Sequence, residues 1–250
     1  MMREESDPTP DGKATPRAAL ARAAVAAAMG LLLVACAGRV PVEPAPPAEE
    51  SRTAAVDRAT ATEYRVDAEA SLLQLYVYRA GPLARLGHNH VVASRDLAGT
   101  IWHRDRQGRS AFRVSLPVAK LTVDEPALRE AAGDDFPGEI PPEDVEGTRR
   151  NMLGESLLDA ARHPEIIAEL LAVEGSGEAL TVTAALTIRG RRRLVDFPVQ
   201  LRVDEGRLVA SGETTVSHAA LGLEPFSVMG GALAVAEEIG VRYRVVARRR

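Results

Sequence analysis

The chain has 250 residues, 46% hydrophobic and 26% charged, a globular balance long enough for one sizeable core. Its net charge of −4, from 31 basic and 35 acidic side chains, supplies no cationic field to gather a nucleic acid. Five histidines and one cysteine exclude an intrachain disulfide and leave too few soft ligands for a zinc finger.

Near the N-terminus, Lys13, Arg17 and Arg22 precede an apolar run from Ala23 to Ala35. Roughly 13 residues is too short to span a bilayer, which takes ~20 in a helix, but it suits the h-region of a secretory signal. The run ends in Leu33-Val34-Ala35-Cys36. This resembles the bacterial lipobox, in which small residues before the cysteine permit cleavage once a diacylglyceryl group is on the thiol. The competing reading is a buried cysteine in a short helix. The opening "MMREESDP" is acidic for such a leader and implies a misassigned upstream start or an extended leader. Residues 1–35 therefore read as a lipoprotein signal peptide, with Cys36 as the site of lipid attachment.

Residues 36–62 continue as a Pro/Ala/Glu-rich segment with neither period 2 nor period 3.6. Such a composition cannot bury enough apolar area to fold, and it reads as a flexible tether. Ala37, directly after the cysteine, is not the aspartate that retains many such proteins at the inner membrane. The expected location is the periplasm, lipid-anchored, with the outer membrane favoured.

From residue 63 to 250 the dominant signal is alternation. Leu180, Val182, Ala184, Leu186 and Ile188 fall on one face, with Thr181, Thr183 and Thr187 on the other. Val199, Leu201 and Val203 repeat the pattern, as do Val241, Tyr243 and Val245. Further strands are predicted over 71–79, 87–94, 97–103, 110–116, 165–173 and 207–218, several separated by glycine-containing turns. Short, evenly spaced strands argue for an antiparallel sandwich or closed barrel. The segment 124–165 breaks the rhythm. Pro126 and the pair Pro141-Pro142 stand where helices begin, and 142–153 and 153–161 read as short helices. An insertion of this length caps a barrel end or stacks beside it, and is a natural place for a lid.

Four stretches carry a resemblance to a known family. "LTIRGRRRLVDFPVQL" at 186–201 looks like the LTIRG hairpin of the YceI family, periplasmic polyisoprenoid-binding proteins with a lipocalin-like fold. "NMLGESLLDAARHPEIIAE" at 151–169, the opening Tyr64-Arg65-Val66-Asp67 and the closing segment 218–247 are similar to the corresponding parts of that family. The resemblance implies an all-β fold: an extended eight-stranded antiparallel barrel with a short helical insertion. It also implies an apolar lumen that holds a long isoprenoid or related amphiphile, without catalysis and without a resident cofactor.

The alternation independently demands an inward apolar face, enclosing either a filled core or a cavity. With aromatic content of only 4%, rings are scarce as filler and a cavity is favoured. Leu75, Ile101, Phe112, Val182, Leu186, Ile188, Val199 and Tyr243 are the expected lining. Phe226 and Met229, beside Gly230-Gly231, could form a flexible lip or belong to the core. The expected ligand is an isoprenoid, quinone or fatty-acyl lipid, and a homodimer stays open.

The stretch "ARLGHNHVV" at 84–92 spells a nuclease motif in its letters. In nucleases of that name the three residues are spread along a ββα unit, so contiguity carries no meaning. In a strand, His88 and His90 would share a face with Asn89 opposite. Three readings remain: packing at a barrel mouth, hydrogen bonding to a lipid head group at the rim, or a metal site. The last needs further ligands, His218 first, then His163, Glu237 or Glu238, and would make a metal-dependent enzyme the alternative function. A structural envelope lipoprotein with a filled barrel is the other alternative. Asp124 and Glu125 have no evident partner for acid/base work, and the triplets Arg191–Arg193 and Arg248–Arg250 read as solvated charge.

Overall fold

The computed structural model describes residues 60–104 and 110–250. Cys36, the signal peptide and nearly all of the tether lie outside the described residues.

Twelve strands form one antiparallel sheet. They are β1 (Thr62–Val66), β2 (Leu72–Ala80), β3 (His90–Ser94), β4 (Ala98–His103), β5 (Ala111–Pro117), β6 (Thr122–Val123), β7 (Glu165–Ser176), β8 (Ala179–Ile188), β9 (Arg191–Asp204), β10 (Arg207–Ser217), β11 (Ser227–Val228) and β12 (Leu233–Arg249). β1 pairs with both β4 and β12, closing the ring β1-β4-β5-β7-β8-β9-β10-β12. This is the eight-stranded antiparallel barrel that the resemblance implies, and it decides for the barrel over the sandwich that the alternation left open.

Strands β2, β3 and β6 continue β1, β4 and β5 past three bends. β12 is long enough to pair with Leu72–Ala80 along most of its length and with Tyr64–Val66 near its end. Where the ladder lapses between β1 and β2, side chains replace it. Ser71 Oγ donates to the Asp67 carbonyl (2.6 Å) and accepts from Val246 N (3.0 Å), while Arg248 Nε donates to the Asp67 carboxylate (2.6 Å). Asp67, so paired with Arg248, has its carboxyl held below the ordinary value. At the third bend, a 3-10 turn at Val118–Lys120, Val118 N donates to the Pro164 carbonyl (2.8 Å). These bonds pair backbone groups at the first and third bends without extending the sheet.

Sequence and structure part at three places. Strand β9 starts at Arg191 rather than near Val199, running through Pro198. It tolerates the proline because the β9–β10 ladder stops at Gln200–Ser211, so a missing N–H just beyond it removes no rung there. Residues 154–162 form turns, not a second helix. Gly154 ends the preceding helix in an extended conformation, and Asp159 takes a positive φ of 49° while its N–H bonds to the Gly154 carbonyl (2.7 Å). Strand β3 begins at His90, so His88 stands before it in the loop.

The insertion between β6 and β7 carries α1 (Pro126–Ala132) and α2 (Pro142–Leu153), each with proline in its first turn. On α2 the partly buried residues Val145, Thr148, Arg149, Met152 and Leu153 recur at helical spacing and form one stripe. A third short helix, α3 (His218–Leu221), follows β10. From α2 and the turns after it, Val145, Met152, Leu153, Leu157, Leu158 and Ala160 pack with Leu221 and Leu223 against the inward residues Leu73, Leu75, Leu116, Ile166, Leu186 and Ile188. This closes one end of the barrel. On the outer side of β3, Val91 and Ala93 pack under Leu128 and Phe136 of the α1 region.

Candidate ligand cavity

Inside the ring is a cavity of about 1280 Å³, larger than the roughly 300–1,000 Å³ of ordinary small-molecule pockets. Its walls follow the parity of the strands. Leu180, Val182, Ala184, Leu186 and Ile188 of β8 all line it, as do Val199 and Leu201 of β9 and Val241, Tyr243 and Val245 of β12. All eight residues expected as lining, Leu75, Ile101, Phe112, Val182, Leu186, Ile188, Val199 and Tyr243, are in the wall. The space persists because wall positions that could hold large side chains hold Ala168, Ala184 and Ala210.

The cavity is polar at one end. Its lining reaches the β7–β8 turn at Gly175–Gly177 and, on the neighbouring strands, His103, Arg104 and Ser110 at the ends of β4 and β5. There Ser110 Oγ accepts from Arg104 N (3.2 Å) and stands 3.5 Å from His103 Nδ1. Sequence reasoning passed over these residues, although His103 shares the inward parity of Ile101. Midway along, the Tyr243 hydroxyl donates to the Pro198 carbonyl, which projects past the end of the β9–β10 ladder. Gly212 makes room for this bond, since a Cβ there would collide with both oxygens. Burial pushes the Tyr243 phenol up to about 12.

Neither His88 nor His90 is in the cavity wall, and neither are Phe226 and Met229. Met229 is 73% exposed in a 3-10 turn with φ 54°, where the chain reverses into β12 and a side chain can only point outward. The two histidines lie at the closed end, beside the insertion, with ring centroids 6.2 Å apart. His88 Nε2 is 3.5 Å from Asp144 Oδ2 on α2. His90 Nδ1 is 2.6 Å from Asp124 Oδ2, and its Nε2 is 3.3 Å from Thr148 Oγ1, also on α2.

Asp124 therefore has partners that the sequence did not disclose. Its side chain is fully buried; Oδ1 accepts from Val91 N (2.9 Å) and from Arg129 Nη1 (2.7 Å), itself buried. Burial is the largest single influence and pushes its carboxyl up, but the hydrogen bonds from His90, Val91 N–H and Arg129 together hold it below the ordinary value. Glu125 is likewise paired, with Arg95 and Thr122. Asn89 completes the junction: its Oδ1 accepts from Arg79 N (3.0 Å) and its Nδ2 donates to the Asp135 carbonyl (2.7 Å).

His218 does not join His88 and His90. It is buried with Nδ1 3.0 Å from the Glu237 carbonyl, while the Glu237 carboxylate accepts from Ala219 N (2.8 Å). Among the described residues, no three His, Cys, Asp or Glu side chains are gathered so as to hold a metal ion.

A family model for the YceI-like domain matches residues 64–247, most of the chain. The chain belongs to the YceI-like family. This is a family of binding-protein fold rather than an enzyme class. Among solved structures, BcnA of Burkholderia cenocepacia aligns with a TM-score of 0.54 at 16% identity, covering 72% of this chain and 98% of that one. The YCEI protein of Campylobacter jejuni aligns with a TM-score of 0.43 at 12% identity, over 62% of this chain and 82% of that one. No curated protein matches the chain.

Proposed function

We propose that this protein sequesters or carries a long-chain isoprenoid, quinone or fatty-acyl lipid, its tail in the barrel and its polar head at the His103–Arg104–Ser110 end. The observation that carries the reading is the continuous apolar cavity of about 1280 Å³. Each buried methylene contributes about 0.8 kcal/mol, so ten tail carbons supply roughly 8 kcal/mol gross, from which ordering and rigid-body costs are subtracted. Long tails are therefore favoured over short ones. A guanidinium and two hydrogen-bonding side chains at the rim suit a head group rich in acceptors. Membership of the YceI-like family supports a binding role of this kind.

The carrier operates in the periplasm, tethered through Cys36 to a membrane, the outer membrane being favoured. Diacyl and amide-linked chains on that cysteine anchor stably where a single chain would not. Mass spectrometry of lipids extracted from residues 60–250, purified and then reconstituted with polyprenols, quinones or fatty acids, tests the carrier reading. A domain that takes up none of them under any condition would sink it. The tether is tested separately: Cys36→Ala should move the protein out of the membrane fraction, and a variant that still pellets in high salt removes the lipobox assignment.

A further inference from the structure

The closed end of the barrel is built differently from its walls. Its floor is a separate piece of chain, hung between β6 and β7, whose Met152, Leu153 and Leu158 press on the same apolar cluster as the cavity residues Leu116, Leu186 and Ile188. Apolar contacts alone are non-directional and would let such a piece settle at several depths. Directional bonds hold it instead. One turn apart on α2, Asp144 faces His88 and Thr148 faces His90, and Arg149 Nη2 donates to the Ala119 carbonyl (2.7 Å). His90 is itself aimed by Asp124, which Val91 N–H and Arg129 hold in place. A buried ion pair such as Asp124–Arg129 adds little net stability over an apolar replacement, but a network of this kind specifies one arrangement against its neighbours.

We propose that α2 and the turns after it are a latched floor that sets how long a tail the barrel accepts, with His88-Asn89-His90 as the latch. The tail ends on Leu116, Ile188 and Leu221, which line the cavity, and Leu158, Met152 and Leu153 back them from behind. His90 and Thr148 are positioning residues that fix the height of that surface. The proposal rests on the carrier reading above and deepens it from ligand class to ligand length. It also gives the tripeptide a role that neither a metal site nor a head-group contact supplies.

The test is competitive loading. Purified domain is offered an equimolar series of polyprenyl alcohols of graded length in detergent, and native mass spectrometry reads the retained distribution. Leu158→Ala, which removes the backing of Leu116 and Ile188 and lets the cavity end recede, should shift retention to a longer tail by about tenfold relative to the wild-type optimum. Met152→Ala serves the same purpose should Leu158→Ala fail to fold. Thr148→Val, of equal shape but without the hydroxyl, should broaden the distribution toward longer tails, while Thr148→Ser should keep the wild-type profile. A general loss of stability would lower total uptake without moving the optimum, so the profile separates positioning from mere folding. Folded floor and latch variants that all keep the wild-type optimum overturn the latched floor and leave the carrier intact; a wild-type domain that loads no tail overturns both.

Discussion

The two ends of this barrel solve opposite problems with the same strands. Toward the β7–β8 turn the interior is left open: alanines stand at wall positions, and the few polar groups, His103, Arg104 and Ser110, gather at the rim. At the other end Val92, Leu116, Val118 and Leu158 are buried against one another, and beside them lies the buried Asp124–Arg129 ion pair, hydrogen-bonded to His90. Stability and function therefore reside at different ends. A wall residue facing empty space has already forgone half of its contacts, so altering it costs the fold little and the ligand much. A residue in the closed end has neighbours on all sides, so altering it costs the fold directly.

The largest effect expected from that comparison is at Arg129. Replacing it with alanine leaves the fully buried Asp124 carboxylate without its cation, held only by His90 and Val91 N–H, and loss of one partner of a buried pair costs about 3–5 kcal/mol. Urea unfolding should register this as a lower midpoint with unchanged slope. Next comes truncation at matched leucines. Leu158→Ala in the packed floor should cost about 2–5 kcal/mol, while Leu180→Ala in the cavity wall should cost about 1 kcal/mol, because little packing is lost there. Equal losses at the two positions would break the comparison.

Acid sharpens it further. The Asp124 carboxyl lies below its ordinary value in the folded protein, so its contribution is fully present above the unfolded value of about 3.9 and is lost as pH falls through the depressed native value. The stability gap between the wild type and Asp124→Asn should therefore be widest near neutrality and shrink on acidification. The smallest effect is midway along the cavity wall, where Tyr243→Phe removes the hydrogen bond to Pro198 at a cost of about 0.5–1.5 kcal/mol. Because burial raises the Tyr243 phenol to about 12, its contribution holds below the ordinary value of about 10 and fades as pH rises through the native one. Alkaline titration of stability should show that decline in the wild type and lack it in Tyr243→Phe.

The barrel wall is written in the letters of the chain. Period two assigns a side to every residue of a strand without reference to its partner, so the inward positions of β8, the second half of β9 and the end of β12 could be read directly, and the shortage of aromatic residues already argued for a hollow interior. Contacts between residues distant in sequence emerge only in the packed molecule. His90 meets Asp124 across 34 positions and Thr148 across 58, and no local pattern encodes either meeting. Alternation placed His88 on a strand because it cannot sense where a strand begins, whereas pairing with β2 starts only at His90. The glycine-stopped turns after Leu153 escaped the helical period for the same reason: that period continues in the letters, but Gly154 and the backbone bonds around Asp159 end it in space. Face selection is a property of single strands and is written locally; closure, the floor and the latch are free-energy decisions among many segments, settled only when the segments pack.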